Sequence, residues 1–233
     1  TAFAVDGRTV QKETLNLKPN DTLYIKFKHN DYFAKNIDDN NDFLVTQDST
    51  NTDIIYSNDI SLRIEKTDEK VAYIQIEKEA KGKSLSEAKQ RAEKIKYSYQ
   101  IVGNRLILDN YLLTDLKNKY RDQEVEITLF LPMGTLIKPD ASMARYDRTD
   151  GDYFLWYPEN TTAVFRVEEN KIRCSNCPEE QTEQYNDEES DSSQTSVTIN
   201  ENGISVKNDT VIKSNNNIKE LKINKDSIII KTE

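Results

Sequence analysis

The sequence is poor in the side chains on which most catalytic sites depend. Its 233 residues include one histidine, two cysteines and one tryptophan. No spacing in the chain supports a pairing of this histidine, His29, with a serine or cysteine nucleophile, so a hydrolytic triad is not expected. The ordinary interpretation of His29 is a half-exposed structural residue. We therefore expect a protein that is not an enzyme and that carries no cofactor.

Glycine and proline are also scarce, with six and five residues respectively. The turns must therefore depend on asparagine and aspartate, which tolerate turn geometry and hydrogen-bond their own backbone. The acidic cluster IDDNND (37–42) has oxygen ligands of the kind that calcium prefers, but it lacks the spacing of an EF-hand. A solvated loop is the better interpretation, and no metal site is expected.

Long apolar runs are missing as well. Hydrophobic residues make up 36% of the chain, and no run approaches the roughly 20 residues of a membrane span. This content favours strands that are buried on one face only. The formal charge of −9 and the absence of an evident basic stripe argue against binding of nucleic acid or anionic lipid by the bulk surface.

What the sequence does contain is strand periodicity over most of its length. Apolar residues at every second position, separated by polar ones, are typical of strands with one buried face. Gly103-Asn104 offers a tight turn between two such segments. The alternation is clearest at 23–27, 60–64, 72–76, 97–101, 106–108 and 125–131.

One segment has helical spacing instead. Ser84 and Glu87 have the spacing of a capping box, in which each side chain accepts a hydrogen bond from the backbone at the start of a helix. Leu85, Ala88, Ala92 and Ile95 follow at helical intervals and predict a narrow apolar stripe. The sequence thus predicts an all-β fold with one short α-helix near 84–95.

Composition divides the chain into three parts. Residues 1–177 form the predicted main β-rich domain, and 178–195 form an acidic segment with too little apolar surface to fold, which predicts a flexible linker. Residues 196–233 contain short strands at intervals of about ten residues. They predict either solenoid-like stacked strands or plain hairpins packed on the main domain.

Two groups of residues are candidates for a specific role. Cys174 and Cys177 form a lone C-x-x-C, which lacks the further ligands that a zinc site needs, so it predicts either a small local disulfide or two inert thiols. Tyr153, Phe154, Trp156 and Tyr157 form an aromatic cluster. Exposed aromatic residues mark interaction surfaces, whereas core packing is the more usual explanation of such clusters.

The block SEAKQRAEKIKYSYQIVGNRLILDNYLLTDLKNKYRDQEVEITLFLPMGTLI (86–137) resembles the C-terminal region of PspC-domain proteins. These are phage-shock-protein-C-like membrane proteins of Gram-negative bacteria, whose soluble β-rich region is called a toast rack. TVQKETLNLKPNDTLYIKF (9–27) is similar to the start of that region, and the cysteine pair in IRCSNCPE is similar to one at its end. The resemblance covers roughly residues 5–178 and implies a toast-rack-like, stacked-sheet fold.

The resemblance also implies a role in envelope stress. We expect a non-enzymatic sensing or interaction module of a membrane-anchored protein, on the periplasmic side of the bacterial inner membrane. Its expected partners are envelope or membrane proteins or a second copy, and not nucleic acid. Because the chain starts at Thr1 rather than Met, we expect a fragment whose membrane contact comes only from a missing N-terminal anchor. The alternative is an adhesin-like or glycan-binding cell-surface β-solenoid protein.

Overall fold

The structure of the chain is a computed structural model that describes residues 5–18, 20–28 and 43–178. It also describes the backbone of 197–200, 203–206, 210–212, 218–224 and 227–232. The chain divides into two compact units, Thr1–Asn186 and Asp187–Glu233. No helix among the described residues has the length and apolar character needed to cross a membrane.

Sheet A of the first unit contains four strands in the order β1-β6-β10-β5. Strand β1 (Val5–Thr14) and strand β10 (Glu124–Pro132) both run antiparallel to β6 (Tyr73–Gly82), and β10 runs parallel to β5 (Ile60–Thr67). The alternation predicted for 60–64, 72–76 and 125–131 places the apolar residues of these segments on one buried face. The strands in these three segments are confirmed.

Sheet B contains six strands in the order β13-β12-β11-β2-β8-β7. Its central strands β11, β2 and β8 are parallel to one another, and the outer pairs are antiparallel. The bounds are Thr22–Lys28 for β2, Tyr99–Val102 for β7, Arg105–Asp109 for β8, Leu136–Pro139 for β11, Phe165–Val167 for β12 and Ile172–Cys174 for β13.

The inner faces of the two sheets share one hydrophobic core. Ile25 and Leu106 from sheet B and Ile74 and Ile127 from sheet A are all fully buried and belong to the same cluster. Burial of each such side chain contributes about 1.5–3 kcal/mol, so the shared core is the main source of stability. The two outer faces therefore lie on opposite sides of this core.

The Gly103-Asn104 turn is confirmed. Val102 pairs with Arg105 across it, so the loop between β7 and β8 has two residues. Gly103 has φ of 61°, and Asn104 is not among the residues with positive φ. This is the backbone pattern of a type II′ turn, which places glycine first because a residue with a Cβ atom is strained there.

Helix α1 (Leu85–Glu93) confirms the predicted helix and its cap. The Ser84 hydroxyl accepts a hydrogen bond from Glu87 N at 3.2 Å, and the Glu87 carboxylate accepts one from Lys83 N at 3.0 Å. The predicted apolar stripe is only partly correct. Ala88 and Ala92 are fully buried, but Leu85 is 64% exposed, because the helix rests on sheet A through its small residues.

Helix α1 packs directly on the backbone of strands β1 and β6. A Cβ atom added to Gly7 would lie 2.3 Å from Lys89 N, and one added to Gly82 would lie 2.5 Å from Ala88 N. Only glycine permits this approach, so the two glycines determine how closely the helix sits on the sheet.

A third sheet, sheet C, joins β4 (Asp53–Ser57) to β3 (Leu44–Gln47) and β9 (Leu112–Asp115), all antiparallel. Short 3₁₀ turns lie at Leu116–Asn118 and Ala141–Met143. The strand-rich first unit with its single described α-helix confirms the all-β fold class.

The described residues of the second unit form antiparallel strands. Strands β14 (Val197–Asn200), β15 (Gly203–Val206) and β16 (Thr210–Ile212) form one sheet, and β17 (Ile218–Asn224) and β18 (Ser227–Thr232) form a hairpin. These are the short strands that the spacing within 196–233 predicts. The proposed division at 177 and 195 stays a prediction.

Candidate functional site

The predicted aromatic cluster lies against the core of the first unit. Phe154 is 3% exposed, and its ring meets Phe165 edge to face with 5.1 Å between centroids. Phe154 thus has no surface to offer a partner, and its place on a candidate interaction surface is corrected to a place in the core. The physical reason is that the Phe154 ring belongs to the hydrophobic core cluster, where it packs against Phe165 of β12.

The other three aromatic residues are partly buried and packed against the same core. Trp156 is held by a hydrogen bond from its Nε1 to Asp147 Oδ2 at 2.7 Å. Burial raises the pKa of Tyr153, whose hydroxyl is buried and has no hydrogen-bond partner among the described atoms. Tyr153, Trp156 and Tyr157 therefore cover the core, and a role in binding stays a prediction for them.

Cys174 and Cys177 are joined by a disulfide at the end of β13. The loop between them is attached to the chain that precedes β12. Asn176 accepts a hydrogen bond from Val164 N at 2.8 Å and donates one to Thr162 O at 3.0 Å. The pair thus closes a small structural loop beside the aromatic segment.

Two further titratable groups with shifted pKa values, Tyr97 and Lys78, have structural partners. Burial raises the pKa of Tyr97, whose hydroxyl donates a hydrogen bond to Asp109 O at 2.9 Å. Burial lowers the pKa of Lys78, whose Nζ donates to Ile95 O at 2.8 Å and so ties the end of helix α1 to sheet A. Burial at these structural positions accounts for both pKa shifts.

Within the described residues, no group of three or more His, Cys, Asp and Glu side chains is placed to hold a metal ion. His29 and the acidic cluster 37–42 lie outside the described residues. The interpretation of both stays a prediction.

The two edges of sheet A differ in how they are covered. Along β5, Leu62 N donates to Tyr146 O at 2.8 Å, Arg148 N donates to Leu62 O at 2.8 Å, and Ile64 N donates to Thr149 Oγ1 at 3.0 Å. Strand β1 pairs with β6 on one side, and no described strand pairs with its other side. Residues 10–14 of β1 are exposed, Val10 to 54%.

A groove on the outer face of sheet B is a feature that the sequence analysis missed. It has a volume of about 480 Å³ and is lined by Tyr24, Lys26, Arg105, Lys138 and neighbouring residues. The expectation that the chain has no basic stripe is therefore wrong for this face. The only available signal was the outward alternation of Tyr24, Lys26 and Lys28, because the other basic residues come from distant segments.

The comparisons with known proteins agree with the fold. A family model described as "ToastRack found in some PspC" matches residues 46–180, which is more than half of the chain. No curated protein and no solved structure matches the chain.

Proposed function

The chain belongs to the family of ToastRack domains found in some PspC proteins, and on that premise we propose that it is a non-catalytic interaction module of a membrane-anchored, phage-shock-type envelope-stress protein. The family match is the observation that carries this proposal. The module lies on the periplasmic side of the bacterial inner membrane and binds envelope proteins or a second copy of itself.

The disulfide supports the periplasmic location. Disulfides persist in oxidising compartments and are rare in the cytosol, where thiols are kept reduced. Cys174 and Cys177 form such a bond. In a cytosolic domain these two thiols would be kept reduced.

Strand β1 supports binding by strand addition. An unpaired sheet edge presents backbone N–H and C=O groups that can accept another strand. In β1 these groups run along Val5–Thr14, next to the exposed apolar side chain of Val10. The opposite edge, β5, is already occupied by residues 146–149, so β1 is the edge at which a partner strand can add.

A photo-crosslinking experiment tests this interaction. A photoreactive residue is placed at Val10 in the full-length protein in cells, and a matched control carries it at Met133, which is 64% exposed but lies in a loop. We expect defined crosslinked products, to an envelope protein or to a second copy, from position 10 and not from position 133. Equal products from both positions, or none from position 10, would contradict the proposal.

Thiol trapping in cells tests the location. Free thiols are alkylated before lysis, and the same alkylation after reduction serves as the control. We expect Cys174 and Cys177 to react only after reduction. Full labelling of both cysteines without reduction would place the domain in a reducing compartment and refute the periplasmic assignment.

A further inference from the structure

The outer face of sheet B concentrates positive charge in a chain whose formal net charge is −9. Because residues alternate between the two faces of a strand, the strand register identifies which side chains point outward here. With the exception of Asp109, the charged residues at these positions are basic. They are Lys26, Lys28, Arg105, Lys138, Arg166 and Arg173.

These cations are brought together by pairing between distant segments. Lys138 of β11 and Arg105 of β8 both pair with Tyr24 of β2, so the three residues form one row across parallel strands. Lys138 Nζ lies 5.8 Å and the Arg105 guanidinium carbon 5.4 Å from the centre of the Tyr24 ring. Arg166 and Arg173 are direct cross-strand partners, and the repulsion between these like charges is relieved in part by Glu168, which pairs with Arg173.

Most of this charge is not neutralised within the domain. Arg173 forms an ion pair with Glu168 at 2.9 Å. In the part of the chain that the structure describes, no ion pair involves Lys26, Lys28, Arg105 or Lys138.

The two carboxylates near these cations weaken the positive field only in part. Burial raises the pKa of Asp109 against the effect of Lys28, so this carboxyl holds its charge less firmly than usual. Asp140, at the rim of the groove, accepts hydrogen bonds from the backbone N and the hydroxyl of Ser142 at 3.0 and 2.6 Å. Although burial raises the pKa of Asp140, the hydrogen bonds from Ser142 and the charge of Lys26 lower it overall, so this carboxylate stays ionised and offsets one of the cations.

The arrangement matches a plane of phosphates better than a single small anion. Neighbouring strands lie about 4.8 Å apart, so the basic residues form a broad, shallow array over several strands. Tyr24, 37% exposed at the middle of the array, combines an apolar ring with a polar hydroxyl, and such side chains suit the boundary between lipid headgroups and acyl chains.

We propose that the outer face of sheet B docks on the phosphate groups of an anionic phospholipid bilayer. This inference rests on the proposed function, because only a domain beside a membrane meets such a surface. The basic residues contact lipid phosphates, and Tyr24 lies at headgroup level between Lys138 and Arg105. The acidic outer face of sheet A then faces away from the membrane.

Binding to vesicles tests the proposal. The soluble chain is titrated with vesicles of phosphatidylcholine that contain about one third phosphatidylglycerol, and with vesicles of phosphatidylcholine alone. We expect binding to the anionic vesicles only. Each basic residue near such a surface is worth about fivefold in affinity, so the triple variant K26Q/R105Q/K138Q should lose on the order of 100-fold.

A charge-matched variant on the opposite face provides the control. K12Q/R63Q/K81Q changes the net charge by the same amount on the outer face of sheet A, and we expect its vesicle affinity to stay within about threefold of the original. If both triple variants lost vesicle affinity equally, the loss would depend only on net charge, and the proposal would be overturned. So would binding to neutral vesicles, or affinity that does not fall when salt is raised to about 1 M.

Two competitors separate the lipid from other phosphate sources. Inorganic phosphate at millimolar concentration should leave vesicle binding unchanged, since one small anion cannot cover the array. Displacement by inorganic phosphate, or tighter binding to a single-stranded oligonucleotide than to anionic vesicles, would overturn the choice of lipid. If the chain does not bind anionic vesicles but still gives crosslinks from position 10, only the membrane-docking proposal is wrong. If it binds the vesicles but gives no crosslinks from position 10, the proposed interaction module is wrong instead.

Discussion

The outer faces of sheets A and B cover the same core but differ in whether their charged side chains form ion pairs. On sheet A, Arg8 forms ion pairs with Glu77 and Glu79, and Arg63 lies 3.4 Å from Glu126. On sheet B, the cations around Tyr24 have no such partners among the described residues. Sheet A pairs several of its charges within the face, whereas sheet B is left with cations that an external anion can neutralise.

Within this one domain, the inner faces of the sheets provide stability, and the outer faces are available for function. Inner faces must be apolar and closely packed, so they allow little freedom in either sheet. Outer faces contribute little to stability, because exposed ion pairs are worth about 0–1 kcal/mol. Their charge pattern is therefore the part of the fold that can be adapted to a partner.

The largest effects should be the same in both sheets. Ile25→Ala in sheet B and Ile74→Ala in sheet A each remove a fully buried side chain, and we expect each to lower the free energy of unfolding by about 2–5 kcal/mol. Urea unfolding measures this, with Val10→Ala as an exposed control that should change it by about 0.5 kcal/mol or less. A large loss in only one sheet would show that the two inner faces do not share a core.

The next effect should be specific to sheet A, because only this sheet carries helix α1. Gly82→Ala would place a Cβ atom 2.5 Å from the backbone N of Ala88, so we expect a loss of about 1–3 kcal/mol as the helix is pushed away. Gly151→Ala makes the same chemical change where no atom lies within 4 Å and should be nearly neutral. Similar stabilities for the two variants in thermal or urea unfolding would mean that the close contact is not rigid.

A smaller effect should distinguish the outer faces directly. Arg8→Gln removes the partner of two carboxylates on sheet A, and we expect it to cost about 0.2–1 kcal/mol at low salt. Lys26→Gln removes one of several clustered cations on sheet B, so stability should stay the same or rise slightly. The difference should disappear at about 1 M salt, where the Debye length is about 3 Å. Equal losses from both variants would abolish the contrast.

The smallest effect concerns Glu124 on sheet A, where burial and neighbouring acids outweigh the opposing effect of Arg8. Burial, together with Glu79, raises the pKa of Glu124. A carboxyl whose pKa is higher in the folded than in the unfolded state destabilises the fold when it is ionised, and this cost vanishes as the pH falls below both values. Glu124→Gln should therefore stabilise the domain at neutral pH, by about 0.5 kcal/mol or less because the group is largely solvated.

Unfolding at pH 7 and at pH 4 checks this sign. The gain from Glu124→Gln should shrink at the lower pH, where the native carboxyl is itself protonated. Glu126→Gln, which removes the partner of Arg63, serves as the control and should give no gain at pH 7. A gain from Glu124→Gln that grows at low pH would contradict the burial argument.

Local signals in the sequence predicted the local structure well. Alternation identified β5, β6 and β10 of sheet A and β2, β7 and β8 of sheet B, but not β1, β11, β12 or β13. The Gly103-Asn104 pair predicted the hairpin between β7 and β8, and Ser84 with Glu87 predicted the start of helix α1. Each of these depends on residues that are close in the chain, where turn chemistry and periodicity act. Leu85 was misplaced, because the helix rests on sheet A through Ala88 and Ala92, and that contact depends on Gly7 and Gly82.

The candidate sites could be predicted less well. The aromatic cluster and the cysteine pair were visible as sequence features, but burial of Phe154 and the loop contacts of Asn176 depend on segments that fold onto one another. The basic face of sheet B was missed for the same reason. Its central row unites Tyr24, Arg105 and Lys138, which are far apart in the chain.

By itself, the sequence determined that this protein is a β-rich domain with one capped helix, since strand period, turn residues and caps act over a few neighbouring residues. Its resemblance over 86–137 also indicated the family. Only the tertiary structure decided which strands are neighbours, which edge strand of sheet A has no described strand beside it, and which basic side chains lie together on sheet B. The physical reason is that parallel pairing joins distant segments, so the charge pattern of a sheet face is a property of strand order and register rather than of any local stretch of chain.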